Sequence, residues 1–170
     1  MKAEDVIELY ETLEKNEISI WLDGGWGVAA LLGEQIRPHE DVDIIVQEKD
    51  LPKIRELLTA RGYKDIERDD TRPWNFVLGD EKGHLVDIHA FRYDNAGNGL
   101  YGNKGLTFPA PSFKGVGKIN GHTVRCISAE QIIIFHTDYE PDENDYKDVS
   151  ALCKKFGIEF PKEYARFKQS

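Results

Sequence analysis

The sequence predicts an α+β fold, in which a small sheet of mixed, largely antiparallel strands carries helices packed on one side and a helical extension at the C-terminus. Three observations predict it. Short β-prone runs alternate with segments whose apolar residues recur at helical spacing. Turn signals typical of hairpins join two pairs of strands in the second half. No repeat, low-complexity tract or linker interrupts the chain, so residues 1–170 are predicted to form one domain.

The first half of the chain is predicted to alternate helices and strands. In order, the expected elements are a helix at residues 6–13, a strand at 18–22, a helix at 28–32, a strand at 41–46 and a helix at 51–58. Gly24 and Gly25 are expected to form the turn between the first strand and the second helix. Gly33 and Gly62 follow the two later helices, where glycine commonly ends a helix because it adopts the left-handed backbone easily.

The second half is predicted to contain two hairpins followed by two helices. The hairpin strands are residues 74–78 and 85–91, across a turn at 79–83, and residues 115–119 and 123–127, across Asn120-Gly121. Ser128, with Gln131 three residues later, is typical of a capping box and predicts a helix that continues through Phe135. A further helix at 145–156 is followed by Gly157.

The charge balance gives the first indication of function. The chain has 22 Lys and Arg residues against 31 Asp and Glu residues, which gives a net charge of −9 at pH 7. A surface this acidic repels nucleic acid phosphates and attracts small cations. The composition therefore disfavours a nucleic acid partner and favours a small cationic substrate.

Apolar runs are short throughout the chain. None approaches the roughly 20 residues that a membrane-spanning helix needs, and the N-terminus lacks a signal-peptide pattern. Cys126 and Cys153 fit no metal-binding spacing, so we interpret them as reduced thiols in the core. These observations predict a cytoplasmic protein that makes no membrane contact.

Three carboxylates stand in apolar, β-prone runs: Asp41 and Asp43 in one predicted strand and Asp87 in a later one. Residues two apart on a strand point to the same face, so Asp41 and Asp43 should project together. Three like charges would repel one another and raise one another's pKa unless a cation lay between them. Carboxylate oxygens suit Mg²⁺, a hard cation that also takes substrate phosphates as ligands. We therefore interpret the three acids as a magnesium site rather than as solvated strand residues.

Gly24 and Gly25 lie where a predicted strand leads into a helix. The free N–H groups and the dipole of a helix N-terminus favour an anion, and glycine lets a phosphate approach without a Cβ in the way. A Gly-Gly pair alone is equally typical of a tight turn. Together with the three acids, however, it indicates an enzyme that binds a nucleoside triphosphate.

Three basic side chains are candidates for binding that triphosphate. Arg37 and His39 come just before the acidic strand, and Lys147 lies on the helix predicted at 145–156. The alternatives are a solvated loop for Arg37 and His39 and an ordinary surface lysine for Lys147.

A zinc site is the competing interpretation of the strand that carries Asp87. His89 shares a strand face with Asp87, whereas His84 is expected on the opposite face, so the set of ligands is poor. His136, on an apolar helix face, is expected to be a hydrogen-bonded core residue. We therefore reject zinc.

These motifs resemble those of the DNA-polymerase-β-type nucleotidyltransferases, which combine a Gly-Gly turn, an Asp-x-Asp strand and a third acid on a later strand. Within that superfamily the chain is most similar to the lincosamide nucleotidyltransferases and more distantly to the aminoglycoside 2″-adenylyltransferases. The resemblance rests on WLDGGWGV at residues 21–28, RPHEDVDI at 37–44 and VDIH at 86–89, and it extends to residues 126–139. It implies the nucleotidyltransferase fold.

The resemblance also implies a reaction. AMP would pass from ATP to a hydroxyl of a small cationic antibiotic, such as a lincosamide or an aminoglycoside, and pyrophosphate would leave. Asp41, Asp43 and Asp87 would hold Mg²⁺ as a pair of ions. Asp87 would take the hydroxyl proton, directly or by binding the metal that acidifies the hydroxyl. The implied nucleotide-binding residues are Gly24, Gly25, Arg37, His39 and Lys147.

Two other functions stay open, because fold membership alone does not decide function. One is a toxin–antitoxin or other regulatory nucleotidyltransferase that modifies a protein. The other is a nucleotide-binding module without activity, although the chain retains all three acids and both glycines. Whether a second subunit completes the acceptor site, as a homodimer, also stays open.

Overall fold

The computed structural model describes residues 1–103, 106–137 and 139–169. The helices within these residues are α1 (Ala3–Lys15), α2 (Gly24–Leu32), α3 (Leu51–Thr59), α4 (Ala129–Phe135) and α5 (Glu143–Phe156). The strands are β1 (Ile20–Asp23), β2 (Asp41–Gln47), β3 (Lys64–Ile66), β4 (Asn75–Gly79), β5 (Leu85–Tyr93), β6 (Gly99–Tyr101), β7 (Leu106–Phe108), β8 (Gly115–Ile119) and β9 (His122–Cys126). Short 3-10 helices lie at Glu48–Asp50, Ala110–Lys114 and Lys162–Gln169.

The strands form one mixed sheet in the order β3-β4-β5-β2-β1-β9-β8, with β6 beside β5 and β7 beside β6. The pairs β2/β5 and β1/β9 are parallel, and the other pairs are antiparallel. The predicted α+β class with a mixed, largely antiparallel sheet is confirmed. The sheet is larger than expected because β3, β6 and β7 are three residues long, too short to give a periodic signal.

The two predicted hairpins are confirmed. β4 pairs with β5, and β8 pairs with β9 across Asn120-Gly121, whose φ angles of 47° and 84° are those of a tight hairpin turn. The predicted cap of α4 is confirmed in part, because the Ser128 side chain accepts a hydrogen bond from the Gln131 N–H. The Gln131 side chain instead accepts a hydrogen bond from Ser112. A full capping box lies at α5, between Asp142 and Asp145.

Helix α2 begins earlier than the sequence predicted. It starts at Gly24, directly after β1, so Gly24 and Gly25 form its first turn rather than a separate loop. Its C-terminus is as expected, since Gly33 ends the helix in the left-handed conformation at φ 78°. The helix is almost wholly buried from Trp26 to Leu31. The N-terminus of α2 is thereby fixed against the end of β1.

The central strands divide their residues between a core face and a site face. On β2 and β5 the residues Val42, Ile44, Val86 and Ile88 are fully buried. On the opposite face Asp41, Asp43, Asp87 and His89 are only partly buried. This alternation follows from the two-residue period of a strand and directs the acids away from the core.

Cys126 and Cys153 are free and buried, as predicted. In the described part of the chain, no helix has the length and the apolar character required to cross a membrane.

Strand β8 holds α2 in place through a close backbone contact. A Cβ on Gly117 would overlap the backbone of Ala30 and Leu31 in α2. Only glycine therefore allows β8 to approach the helix this closely.

We predict that Gly117→Ala lowers the free energy of unfolding by about 3 kcal/mol, because the new methyl group must push two backbone segments apart. Chemical denaturation of both proteins measures the difference. Gly62→Ala is the control, since Gly62 has a φ of 89° but no atom lies within 4 Å of an added Cβ. The free energy of unfolding of that variant should fall by only about 1–2 kcal/mol, because alanine is strained at this φ angle. A loss in Gly117→Ala no larger than in Gly62→Ala would contradict the close packing.

Candidate active site

Strand register brings acids from three neighbouring strands into one row. Asp23 on β1 is the antiparallel partner of Asp43 on β2, and Asp43 is the parallel partner of Asp87 on β5. Register partners point to the same face of a sheet, so the three carboxylates, here called the acid row, project together. Asp41 lies on the same face of β2, two residues before Asp43.

The group best placed to hold a metal ion differs in part from the predicted one. Ligand atoms of Asp43, Asp87 and His89 all lie within 4.8 Å of one another. The structure thus brings together two of the three predicted acids and adds a histidine. Asp41 is outside this group, although burial and the nearby charge of Asp43 raise its pKa.

His89 is a member of the site that sequence reasoning set aside with the zinc hypothesis. Its Nε2 lies 3.5 Å from Asp87 Oδ1 and 3.9 Å from Asp43 Oδ1, and its Nδ1 lies 3.0 Å from the Tyr101 hydroxyl. Burial lowers the pKa of His89, but the nearby carboxylates of Asp43 and Asp87 outweigh it, and the pKa is raised. The available signal was its position two residues after Asp87, on the same strand face.

Asp87 is flanked by two basic side chains. Arg68, on the loop between β3 and β4, donates from Nη1 to Asp87 Oδ2 at 3.3 Å, while His89 faces Oδ1. Burial raises the pKa of Asp87; the charges of His89 and Arg68 oppose this rise and Asp43 adds to it. No local sequence pattern indicated Arg68, because only the fold brings its loop to the strand.

Asp23 is the second residue that sequence reasoning missed, since the run around it was interpreted only as a glycine turn. Its Oδ1 is buried and has no hydrogen-bond partner among the residues that the structure describes. Burial and the neighbouring Asp43 carboxylate raise the pKa of Asp23 to about 6. A buried carboxylate with an unpaired oxygen destabilises a fold, so we interpret Asp23 as a functional residue.

Gly24 and Gly25 are both required by the side chains that surround them. Gly24 has a φ of 52°, and a Cβ there would overlap the Asp43 carboxylate. A Cβ on Gly25 would overlap the His39 ring and lie 3.1 Å from Arg37 Nη2. The glycines therefore allow the N-terminus of α2, with its free N–H groups, to lie directly against the acid row.

Arg37 is held in a nearly buried ion pair. Its Nε lies 3.1 and 3.0 Å from the two carboxylate oxygens of Asp148, and its Nη2 lies 2.6 Å from Asp148 Oδ2. Burial lowers the pKa of Arg37, but the hydrogen bonds and charge of Asp148 more than offset it and raise the pKa. Arg37 is therefore a fixed cation beside Gly25 rather than a solvated loop residue.

His39 and Lys147 have very different environments. His39 is buried, its ring lies 5.0 Å from that of Trp26, and its Nε2 has no hydrogen-bond partner within the described ranges. Burial and the charge of Arg37 lower the pKa of His39 to about 4, so it is neutral at pH 7. Lys147 is exposed on α5, and its neighbour Asp148 is the residue that contacts Arg37.

A cavity of about 440 Å³ adjoins the acid row. Its lining contains both polar and apolar residues. The polar residues include Asp23, Asp43, His89, Gln131 and His136, and the apolar residues include Ile45, Leu106, Phe108, Ile134 and Phe135. The cavity can therefore bind a molecule that has both polar groups and an apolar part.

His136 is a buried, hydrogen-bonded residue, as predicted. Its Nδ1 lies 2.9 Å from the Ile132 carbonyl, and its own carbonyl accepts a hydrogen bond of 2.7 Å from the Tyr164 hydroxyl. Its Nε2 lies 3.7 Å from Asp145, which also accepts a hydrogen bond from Tyr139. These contacts join the cavity wall to α5 and the C-terminal segment.

Known proteins resemble this chain over most of its length. The model of the aminoglycoside-2″-adenylyltransferase family matches residues 5–152. A lincosamide resistance protein of Staphylococcus haemolyticus is 30% identical over 155 residues, which cover 86% of this chain and 89% of the relative. A 2″-aminoglycoside nucleotidyltransferase of Escherichia coli is 29% identical over 126 residues, which cover 71% of this chain and 64% of that protein.

The fold also matches a solved structure. The crystal structure of the lincosamide antibiotic adenylyltransferase LnuA, lincomycin-bound, has a TM-score of 0.80 to this chain at 28% sequence identity. The match covers 94% of this chain and 99% of that one.

The shifted pKa values of His39 and Asp23 predict opposite effects of acid on stability. The pKa of His39 falls from 6.5 in the unfolded chain to about 4, so its contribution to stability is complete above pH 6.5 and is lost as the pH falls towards 4. The pKa of Asp23 rises from 3.8 to about 6, so the folded protein gains stability as the pH falls through the same range.

We therefore expect His39→Gln to lose less stability than the wild type between pH 7 and pH 4, and Asp23→Asn to lose more. Each difference should be at most about 3 kcal/mol. Denaturant unfolding at the two pH values, with a chelator present, measures both. If the free energy of unfolding fell equally in all three proteins between pH 7 and pH 4, His39 and Asp23 would not have the shifted pKa values given above.

Proposed function

The chain belongs to the aminoglycoside-2″-adenylyltransferase family, and on this basis we propose that it transfers AMP from ATP to a hydroxyl group of a lincosamide, with release of pyrophosphate. The family makes the chain a nucleotidyltransferase. The relative that confers lincosamide resistance supports the choice of acceptor, because the similarity extends over most of both chains.

The observation that carries the choice of acceptor is the cavity that joins the acid row to an apolar wall. A lincosamide has a hydroxylated sugar, a basic nitrogen and an alkylated ring, whereas an aminoglycoside is polar throughout. The wall formed by Leu106, Phe108 and Ile134 would contact the alkylated part. Asp23 and Asp43 would then face the sugar hydroxyls and attract the cationic nitrogen.

The acids of β2 and β5 fit divalent magnesium. Asp43 and Asp87 offer carboxylate oxygens within reach of one ion, and Asp41 lies on the same strand face. We propose that these three acids hold Mg²⁺, as a pair of ions, and that His89 orients Asp43 and Asp87 rather than binding the metal. When bound, the ions would neutralise charge on the attacking and leaving oxygens.

Asp87 is the proposed base. Its Oδ1 faces His89 and its Oδ2 faces Arg68, so its two oxygens have fixed directions. The raised pKa of Asp87 increases its affinity for the proton of the acceptor hydroxyl. The hydroxyl oxygen would then attack the α-phosphorus in line, as the pyrophosphate leaves.

The N-terminus of α2 is the proposed phosphate site. The N–H groups that follow Gly24 and Gly25 would bind the β- and γ-phosphates, with Arg37 as a fixed cation beside them. We retain Lys147 as a mobile cation from the side of α5. His39 is buried and neutral, so its proposed part is to shape the cradle against Gly25.

The proposal has consequences for partners and location. The acceptor is a small molecule and not a nucleic acid, because the net charge of −9 opposes a polyanion. The enzyme would act in the cytoplasm, as one domain over residues 1–170. The alternative in which a second subunit completes the acceptor site predicts a homodimer, which sedimentation would detect.

We predict that Asp41→Asn, Asp43→Asn and Asp87→Asn each lower kcat at least about 100-fold, since each removes charge from the metal and base site. Removal of Mg²⁺ by a chelator should have the same effect on the wild type. Steady-state kinetics with ATP measures the loss, and thermal unfolding checks that each variant is folded. Turnover close to that of the wild type in any of the three variants would exclude that acid from the site.

Incubation with ATP, Mg²⁺ and lincomycin should give an AMP adduct of the drug, detected by mass spectrometry. Tobramycin should react at least about 10-fold more slowly, because it has no apolar part to contact the apolar wall of the cavity. The KM for lincomycin should rise with salt, as the attraction of the acid row for a cation is screened. A reversed preference would favour the aminoglycoside alternative. An adduct found only on a cellular protein would favour the regulatory alternative.

A further inference from the structure

In the scheme above Arg68 binds neither metal nor nucleotide, yet it contacts Asp87, the proposed base. Its Nη1 lies 3.3 Å from Asp87 Oδ2, and its charge also acts on Asp41. Asp87 Oδ1 is faced by His89 at 3.5 Å. Both oxygens of Asp87 are therefore occupied by basic groups in the protein alone. For Asp87 to bind a metal ion or accept a proton, one of these groups must move away.

The two basic groups differ in their freedom to move. His89 lies in the middle of β5, between β4 and β2, and its Nδ1 is fixed by the Tyr101 hydroxyl. Arg68 lies on a loop, and its side chain is 40% exposed. An ion pair at this exposure contributes little to stability, so breaking it costs little. Arg68 is therefore the group that can leave Asp87.

The backbone of Arg68 makes such a movement well defined. Its N–H donates to Thr71 Oγ1 at 2.9 Å, and its carbonyl accepts from the Thr71 N–H at 3.0 Å. The main chain is thus fixed in a turn, while the long side chain is not. A guanidinium pivoting from this point remains near the acid row and can reach an anion that binds there. Guanidinium groups bind phosphate with two parallel hydrogen bonds, which gives Arg68 a second partner of the right charge.

We propose that Arg68 is a phosphate-binding residue that exchanges partners: it pairs with Asp87 in the free enzyme and moves to the phosphates of ATP when the metal–nucleotide complex binds. This inference rests on the proposed function, because it requires ATP at the acid row. The exchange frees Asp87 Oδ2 only when substrate is present. In the free enzyme, the pairing of Arg68 with Asp87 also reduces the repulsion between Asp87 and the neighbouring Asp43.

The chain contains a matched control for this residue. Arg72 lies on the same loop, and the partners that the structure gives its side chain are the backbone carbonyls of Asp69 and Thr71. Arg72→Gln and Arg68→Gln remove the same charge from the same loop. A difference between them therefore reports the contact with Asp87 and the phosphates, not the overall field.

The test measures two affinities without any antibiotic. Mn²⁺ replaces Mg²⁺ as the probe of the metal site, followed by electron paramagnetic resonance, and ATP binding with Mg²⁺ is followed by calorimetry. In Arg68→Gln, Mn²⁺ alone should bind about 2- to 5-fold more tightly, because a competing cation is gone. ATP should bind about 10-fold more weakly, because a phosphate contact is lost. Arg68→Lys should recover part of the ATP affinity, and AMP, which lacks the β- and γ-phosphates, should be affected less than ATP.

Equal ATP affinity in Arg68→Gln and Arg72→Gln would overturn the proposal, since Arg68 would then be a static partner of Asp87. Weaker Mn²⁺ binding in Arg68→Gln would also overturn it, because Arg68 would then orient Asp87 for the metal. Thermal unfolding of both variants confirms that they are folded. A wild type that binds no ATP would contradict the proposed function itself, which separates the two failures.

Discussion

The site depends on one constraint, the parallel pairing of β2 with β5 in the register that sets Asp43 beside Asp87. A strand that slipped by one residue would turn all of its side chains to the opposite face. The acids would then enter the core, and Val42 and Ile44 would face the cavity. The buried residues on the core face therefore fix the geometry of the acid row. The apolar half of each strand holds the acids opposite one another without any direct attraction between them.

This geometry has an electrostatic cost, and the surrounding residues reduce it. Asp23, Asp43 and Asp87 are brought together by the backbone, so their mutual repulsion cannot be relieved by moving the strands. His89 and Arg68 offset part of it at Asp87, but the Oδ1 atom of Asp23 has no partner in the described part of the chain. The remaining repulsion favours a bound cation. A site of this kind is less stable when empty than when filled, which is the expected property of a metal and substrate site.

The sequence was sufficient to predict the relative positions of residues that local spacing determines. Asp41 and Asp43 share a face because they are two residues apart, and the mixed sheet followed from the order of the strands. Residues placed by long-range packing were not predictable in this way. Arg68 reaches Asp87 only because β3 and β4 continue the sheet beyond β5. The role of Asp23 as a neighbour of Asp43 required the pairing of β1 with β2, which no local pattern specifies.

The basic residues of the loop before β2 illustrate how packing gives a local motif its meaning. Arg37 and Asp148 are 111 residues apart in sequence, yet they form a nearly buried pair at the first turn of α2. A buried ion pair stabilises a fold only weakly, but it restricts the orientation of both partners. Asp148 thus holds the Arg37 guanidinium beside Gly25 before any substrate arrives, so that little side-chain entropy is lost on phosphate binding. If nucleotide binds at Gly24 and Gly25 as proposed, α5 contributes to that site through Asp148, even though every acid and glycine predicted for the site lies in the first 90 residues.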